Sequence, residues 1–194
     1  NQETIEQSLL PDSGLFSDRD DGQLLDRFSG RIMFPIRDRK GQTVAFSGRI
    51  FEDPAIERPQ SFHTAKYVNS PETELFNKRK VLFNYDKARP AIRRAGEVYL
   101  FEGFMDVISS WQAGIKNGIA SMGTSLTTEQ IQQLDRVTDR VVIAYDGDQA
   151  GLDASKRAME YFLDQTHFNI EVVIKFSFKV RNKLFRLFCN HGSR

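Results

Sequence analysis

Apolar residues follow two kinds of pattern along this chain, and the change comes near Gly96. Beyond it, Val98 to Phe101 and Val141 to Tyr145 are unbroken apolar runs, as expected of strands covered on both faces in a parallel sheet. Between them Phe104, Val107, Ile108 and Trp111 recur at helical spacing and form one apolar stripe. Gly118 to Ser121 suits a short second strand. Thr127 with Gln130 makes an N-cap and capping box, and Ile131 and Leu134 continue an apolar face. After Gly151 a third helix is expected to turn Leu152, Ala158, Met159, Phe162 and Leu163 inward, with Ile170 to Ile174 as a fourth strand. The order βαβαβαβ predicts an α/β fold with a parallel sheet and right-handed crossovers.

Before Gly96 the pattern is mixed. Arg31 to Ile36 alternates, Asp38-Arg39-Lys40-Gly41 is a turn, and Thr43 to Ile50 returns, which predicts a β-hairpin. Pro35 has no amide to donate, so the first strand should be an edge or be bulged there. Gly48 beside Arg49 permits a close backbone approach, useful at a phosphate and ordinary in a bulge. Leu9, Leu10, Leu15, Phe16, Leu24, Leu25 and Phe28 are expected packing positions, with Gly14 to Gly22 a loop. Glu52 to Thr64 reads as a surface loop with a solvated His63. Lys66 to Thr73 and then Phe76 to Lys80 read as a basic, aromatic-flanked turn, suited to phosphates or simply a solvated face. Ala88 to Ala95 is helical, with Pro90 expected to kink or restart it. An α+β amino-terminal subdomain, 1–95, is thus followed by a parallel-sheet βαβ subdomain, 96–174, and a basic tail, 175–194.

Composition narrows the class. The 194 residues have an ordinary apolar and charged balance and a net charge of +1. That average hides a gradient. From Lys175 onward there are 6 basic residues and no acid, so the chain before it holds 27 − 6 = 21 basic against 26 acidic side chains, a net of −5. A nucleic-acid enzyme with that balance must confine its basic groups to a groove. The tail itself could bind nucleic acid, form an extra amphipathic element, or be foreign to the fold. The single Cys189 excludes a disulfide framework and a cysteine zinc cluster. Without a signal peptide or membrane-length apolar run, a soluble, cytoplasmic protein is expected.

Both long apolar runs stop at acids: Glu102 after the first, Asp146 and Asp148 after the second. Open parallel sheets bind ligands beyond the carboxyl ends of their strands. Residues two apart on an extended chain point the same way, so Asp146 and Asp148 could face one ion. Two carboxylates ~4 Å apart repel by ~4 kcal/mol at an effective dielectric near 20, which a divalent cation relieves. Oxygen ligands without His or Cys favour Mg²⁺ or Mn²⁺, normally completed by substrate phosphates, and so point to phosphoryl or nucleotidyl transfer. The plainer readings are a turn for Asp-Gly-Asp, a solvated or capping Glu102, and a dipole-complementing Asp106.

Phe101-Glu102-Gly103-Phe104-Met105-Asp106, Met122-Gly123-Thr124 and Asp146-Gly147-Asp148-Gln149-Ala150-Gly151 resemble the Toprim region of bacterial DNA primases. Gly30 to Asp38 and Lys66 to Thr73 resemble two further primase signatures, and together the likeness spans about residues 13 to 173. It implies the RNA-polymerase core of a primase, making RNA primers on single-stranded DNA from ribonucleoside triphosphates. Glu102, Asp146 and Asp148 would be catalytic and ligate two Mg²⁺ or Mn²⁺ ions, with Asp106 ligating directly or through water. Arg31, Arg49, Lys66, Asn69 and Lys78 would hold nucleotide and template; Arg37 matches as well. The family's zinc module and its helicase-binding domain are absent, so no zinc is expected and the replicative helicase would bind elsewhere. No membrane partner is implied. The family's Asp-Pro-Asp-like motif is missing after Val173. A Toprim nuclease or topoisomerase-like enzyme, and a non-catalytic nucleotide- or DNA-binding module, are the alternatives.

Overall fold

The computed structural model describes residues 6–18, 23–51, 65–123, 125–165, 168–175 and 184–187. Two compact units arise, one of residues 1–37 and 42–77, the other of 38–41 and 78–194. The expected Glu52–Thr64 loop with His63, most of the tail and Cys189 lie outside the described residues.

In the first unit β1 (Phe16–Asp18) pairs antiparallel with β2 (Leu24–Asp26), so part of the expected Gly14–Gly22 loop is strand. The predicted hairpin is β3 (Arg31–Arg37) and β4 (Thr43–Ile50). Strand β5 (Tyr67–Asn69) adds to β4, giving the order β3-β4-β5. Pro35 is therefore on an edge strand, and the register shifts just beyond it, between Ile36 and Arg37. The Lys66–Thr73 turn is corrected in part: Tyr67–Asn69 is extended, and Ser70 holds β4 by donating its amide to Phe46 O (2.8 Å) and accepting from Phe46 N (3.1 Å). Of the seven expected packing residues before β3 only Phe28 is buried, while Leu9 is 56% exposed. A ribbon of two three-residue strands can cover few side chains, and Leu25 on it and Leu15 just before it stay exposed. Phe28 instead packs edge-on against Phe46. A Cβ on Gly48 would fall 2.7 Å from the Phe28 ring, so a side chain there would force that ring to move.

The second unit follows the expected alternation: α1 (Tyr85–Ala95), β6 (Val98–Phe101), α2 (Phe104–Gln112), β7 (Gly118–Ala120), α3 (Thr128–Asp135), β8 (Arg140–Ala144), α4 (Gln149–Gln165) and β9 (Asn169–Lys175). Strands β7-β6-β8-β9 form a parallel sheet, and β10 (Leu184–Leu187), from the basic tail, pairs antiparallel with β9. Leu100, Ile119, Val141 and Ile143 are fully buried, as continuous apolar strands between helices require. The α3 capping box is present, Thr127 and Gln130 each accepting from the other's amide.

Two expectations, for Pro90 and for the inward face of α4, are corrected here. Helix α1 runs through Pro90 as one element of 11 residues; Pro90 is on its exposed side, where water can reach the carbonyl its missing amide would have met. Tyr85, Ala88 and Ile92 pack in one core with Leu100, Ile119 and Leu134, so contacts group α1 with the second unit. Along α4 the inward face is Gly151, Ser155, Ala158 and Phe162, and Leu152 (38%) and Leu163 (49%) are exposed. Those four positions keep helical spacing on a single stripe, and neither leucine falls on it.

Candidate active site

Strands β6, β7 and β8 end on one rung, with Phe101 opposite both Ala120 and Ala144. The next residues of the three strands, Glu102, Ser121 and Tyr145, therefore emerge side by side at the carboxyl edge of the sheet. They line a pocket of about 460 Å³, together with Leu126 before α3 and Arg157 and Tyr161 of α4. Glu102 is exposed; Tyr145 is buried. Burial holds the Tyr145 phenol above its ordinary pKa, and the negative charge of Glu102 pushes it the same way. Tyr161 is oriented by a 2.9 Å hydrogen bond with the Thr128 hydroxyl.

The aspartates leave the sheet differently from the expectation. The chain bends at Gly147 and Asp148, and Asp148 becomes the N-cap of α4, its Oδ1 accepting from Gly151 N at 2.8 Å. Its carbonyl accepts from Leu152 N at 2.9 Å. A Cβ on Gly151 would overlap the carbonyl oxygen of Asp146 and come within 3.0 Å of its nitrogen, so Asp146 rests directly on the first turn of α4. Asp106 sits in the first turn of α2, half-buried, with its amide donated to Gly103 O. Among the described residues no three His, Cys, Asp or Glu side chains come together as a cation site.

The four acids expected at the ion site leave the sheet on different elements: Glu102 follows β6, Asp106 lies in the first turn of α2, and Asp146 and Asp148 follow β8. Register puts Glu102 beside Tyr145, one residue short of Asp146. Two-residue alternation aligns side chains only while the chain stays extended. At Gly147 it does not. The Asp-Gly-Asp segment is a turn and helix cap as well as a pair of acids.

Three of the five basic or polar candidates, Arg31, Arg49 and Asn69, belong to the three-stranded sheet, and Lys66 lies just before β5. Arg49 lies opposite Tyr67 and Asn69 opposite Ser47, so Arg49 and Asn69 share a face. The Arg49 guanidinium stands 5.7 Å from the Tyr67 ring centroid. Asn69 Oδ1 and Ser47 Oγ are buried and find no hydrogen-bond partner among the described residues. Arg31 occupies the other face and donates Nη1 to Gly48 O (3.3 Å) and Ala65 O (3.0 Å), tying β4 to the approach to β5. Lys66 is exposed. Lys78 belongs to the second unit, in a 3₁₀ turn, Lys78–Lys80. Sequence reasoning passed over Ser121, Tyr145, Arg157 and Tyr161, although Tyr145 was visible as the last residue of an apolar run before an acid.

A parallel sheet in this order, with acids just beyond its two central strands, defines a Toprim-type domain. Residues 99–180 match the Toprim-like family, and residues 1–89 match "DNA primase catalytic core, N-terminal domain". The DNA primase of Enterococcus faecalis is 53% identical over 174 residues, covering 88% of this chain and 27% of that protein. A DNA primase domain from Pseudomonas aeruginosa superposes with a TM-score of 0.74 at 38% identity, covering 90% of this chain and 52% of that one. The DnaG primase catalytic domain bound to single-stranded DNA gives 0.73 at 38% identity, covering 87% and 52%. The chain belongs to the bacterial DNA primase family. It spans about a quarter of the curated relative and about half of the solved catalytic domains. The two family matches meet between residues 89 and 99, where the sequence reading placed its boundary, although contacts assign α1 to the second unit.

Proposed function

We propose that this chain is the amino-terminal part of a primase RNA-polymerase core, which joins ribonucleoside triphosphates on single-stranded DNA and releases pyrophosphate. The observation that supports the reading is the common rung at which β6, β7 and β8 end, with Glu102, Ser121 and Tyr145 lining the pocket and Asp146 the next residue after Tyr145. Arg49 and Asn69 share a face that suits nucleotide phosphates, and Asn69 Oδ1 is a buried acceptor without a donor of its own among the described residues. Lys66 and Lys78 add charge for triphosphate and template; Arg31 contributes chiefly by fixing the strand that carries Arg49. The relative bound to single-stranded DNA supports DNA as the template.

Mg²⁺ or Mn²⁺ remains the ion suited to oxygen ligands. Glu102, Asp146 and Asp148, with Asp106 directly or through water, are the side chains that would hold two such ions; among the described residues no three acids are grouped as a cation site. When bound, such an ion stabilises charge on the phosphoryl oxygens. The replicative helicase is proposed as a partner through a domain outside this chain. No helix among the described residues is long and apolar enough to cross a membrane.

A catalytic core carrying this sequence, incubated with single-stranded DNA, Mg²⁺ and labelled ribonucleoside triphosphates, should yield short RNA. Binding of DNA without product would favour a non-catalytic binding module, and cuts in labelled DNA would favour a nuclease.

A further inference from the structure

Lys78, Arg79 and Lys80 form a single 3₁₀ turn whose carbonyls are taken, one after another, by side chains of α3 and its cap. Gln130 Nε2 donates to Lys78 O at 3.1 Å and to Val81 O at 2.9 Å. The Thr127 hydroxyl donates to Arg79 O, and Gln133 Nε2 to Lys80 O at 2.7 Å. Gln130 is fully buried, and its Oε1 accepts from the Thr127 amide at 3.2 Å, so both donors and the acceptor are used. Four successive carbonyls held by three side chains fix the rotation of the turn. Its oxygens face α3; the side chains of Arg79 and Lys80 are exposed and that of Lys78 is half-buried.

A merely solvated charged turn has no need of this. Its carbonyls would be satisfied by water, whereas burying a glutamine amide is tolerated only when its hydrogen bonds are all made. A fully satisfied buried network specifies one geometry. Here that geometry fixes the backbone from which three consecutive basic side chains project. Regularly spaced phosphates are the ligand that suits it.

We propose that Lys78, Arg79 and Lys80 form a ridge that binds the phosphate backbone of single-stranded nucleic acid, with Thr127, Gln130 and Gln133 as the positioning residues that hold it. The ridge extends the primase reading to Arg79 and Lys80 and rests on it only for the identity of the polyanion.

The test is oligodeoxythymidine binding to the full chain by fluorescence anisotropy across a salt series, with no nucleotide or divalent ion present. Each phosphate neutralised on a single strand contributes about 0.7 to the slope of log K against log salt, or about fivefold in affinity at 0.1 M relative to 1 M. Lys80→Ala should lower the slope by about 0.7 and weaken binding about fivefold at 0.1 M salt. Gln133→Ala keeps every cation, yet it should weaken binding and reduce the slope, and it should add nothing on the Lys80→Ala background. An unchanged slope, or equal losses from Gln133→Ala on both backgrounds, would mean a purely structural role and overturn the proposal. Gln130→Leu should reduce the slope further. Should that variant fail to fold, Gln133→Ala carries the test, because its bond lies at the exposed edge of the turn. Absence of salt-dependent binding by the unaltered chain overturns the ridge outright. A normal slope in a core that makes no primers leaves the ridge standing and sinks only the catalytic reading.

Discussion

Asp148 carries two roles that can be separated by two substitutions. Its Oδ1 caps α4 through Gly151 N at 2.8 Å, and its charge lies at the positive end of a helix of 17 residues. Asp148→Ala removes both effects. Loss of an N-cap costs about 1 kcal/mol, and loss of the charge at the helix terminus about 0.5 kcal/mol more. For a chain of this size the sum, about 1.5 kcal/mol, should lower Tm by roughly 3–6 °C. Asn is as good a cap as Asp, so Asp148→Asn should lose only the dipole contribution, about 0.5 kcal/mol, and that difference should fade in high salt. Thermal melts of the three proteins at low and high salt measure this directly. Equal destabilisation by Asn and Ala would refute the cap. The same pair tests the chemistry, since Asn keeps the cap and removes the negative charge. Full divalent-dependent primer synthesis by a core carrying Asp148→Asn would leave Asp148 a cap and nothing more.

Two further outcomes follow from the same corner of the sheet. Gly151→Ala drives a methyl group into the backbone of Asp146, so it should cost about 1–3 kcal/mol in urea melts and reduce primer synthesis while leaving oligonucleotide affinity intact; a silent substitution would mean that Asp146 is not seated on α4. Tyr145 is held neutral by burial and by Glu102, so its folded-state pKa lies above the unfolded value of about 10. Stability is then fully present below about pH 10 and lost as pH rises through the folded pKa, because the unfolded chain releases its proton first. Tyr145→Phe should flatten that alkaline decline in denaturant melts, leaving a residual slope from Tyr85, whose pKa burial also raises. An identical decline in the Phe variant would remove Tyr145 from the pocket wall.

Much of the second unit was legible because one physical rule governs it: strands covered on both faces are continuously apolar, and β6 and β8 are. The capping box at Thr127 and Gln130 was equally plain, since it needs only two residues three apart. What lay out of reach were features that depend on where an element stops. Asp146 and Asp148 share a side only on an extended chain, and the chain bends at Gly147, where Gly151 lies against the backbone of Asp146. On α4, Leu152 and Leu163 are apolar yet exposed, while Ser155 is buried, so composition pointed to the wrong stripe. The leucines before β3 misled similarly, because nothing local distinguishes a core strand from a short ribbon. Gln130 illustrates the remaining gap: a buried amide that clamps a distant turn carries no hydrophobic signature. Its capping role was readable, and its contacts with Lys78 and Val81 were not.

The most direct measurement is dinucleotide synthesis by a primase core carrying this sequence, compared with its Asp146→Asn variant under saturating Mg²⁺ or Mn²⁺. Asp146 lies beyond the end of β8, exposed, so the amide should leave the melting curve and oligonucleotide affinity unchanged while synthesis disappears. Synthesis at the unaltered rate would show that the acids at the strand ends are not the reacting site.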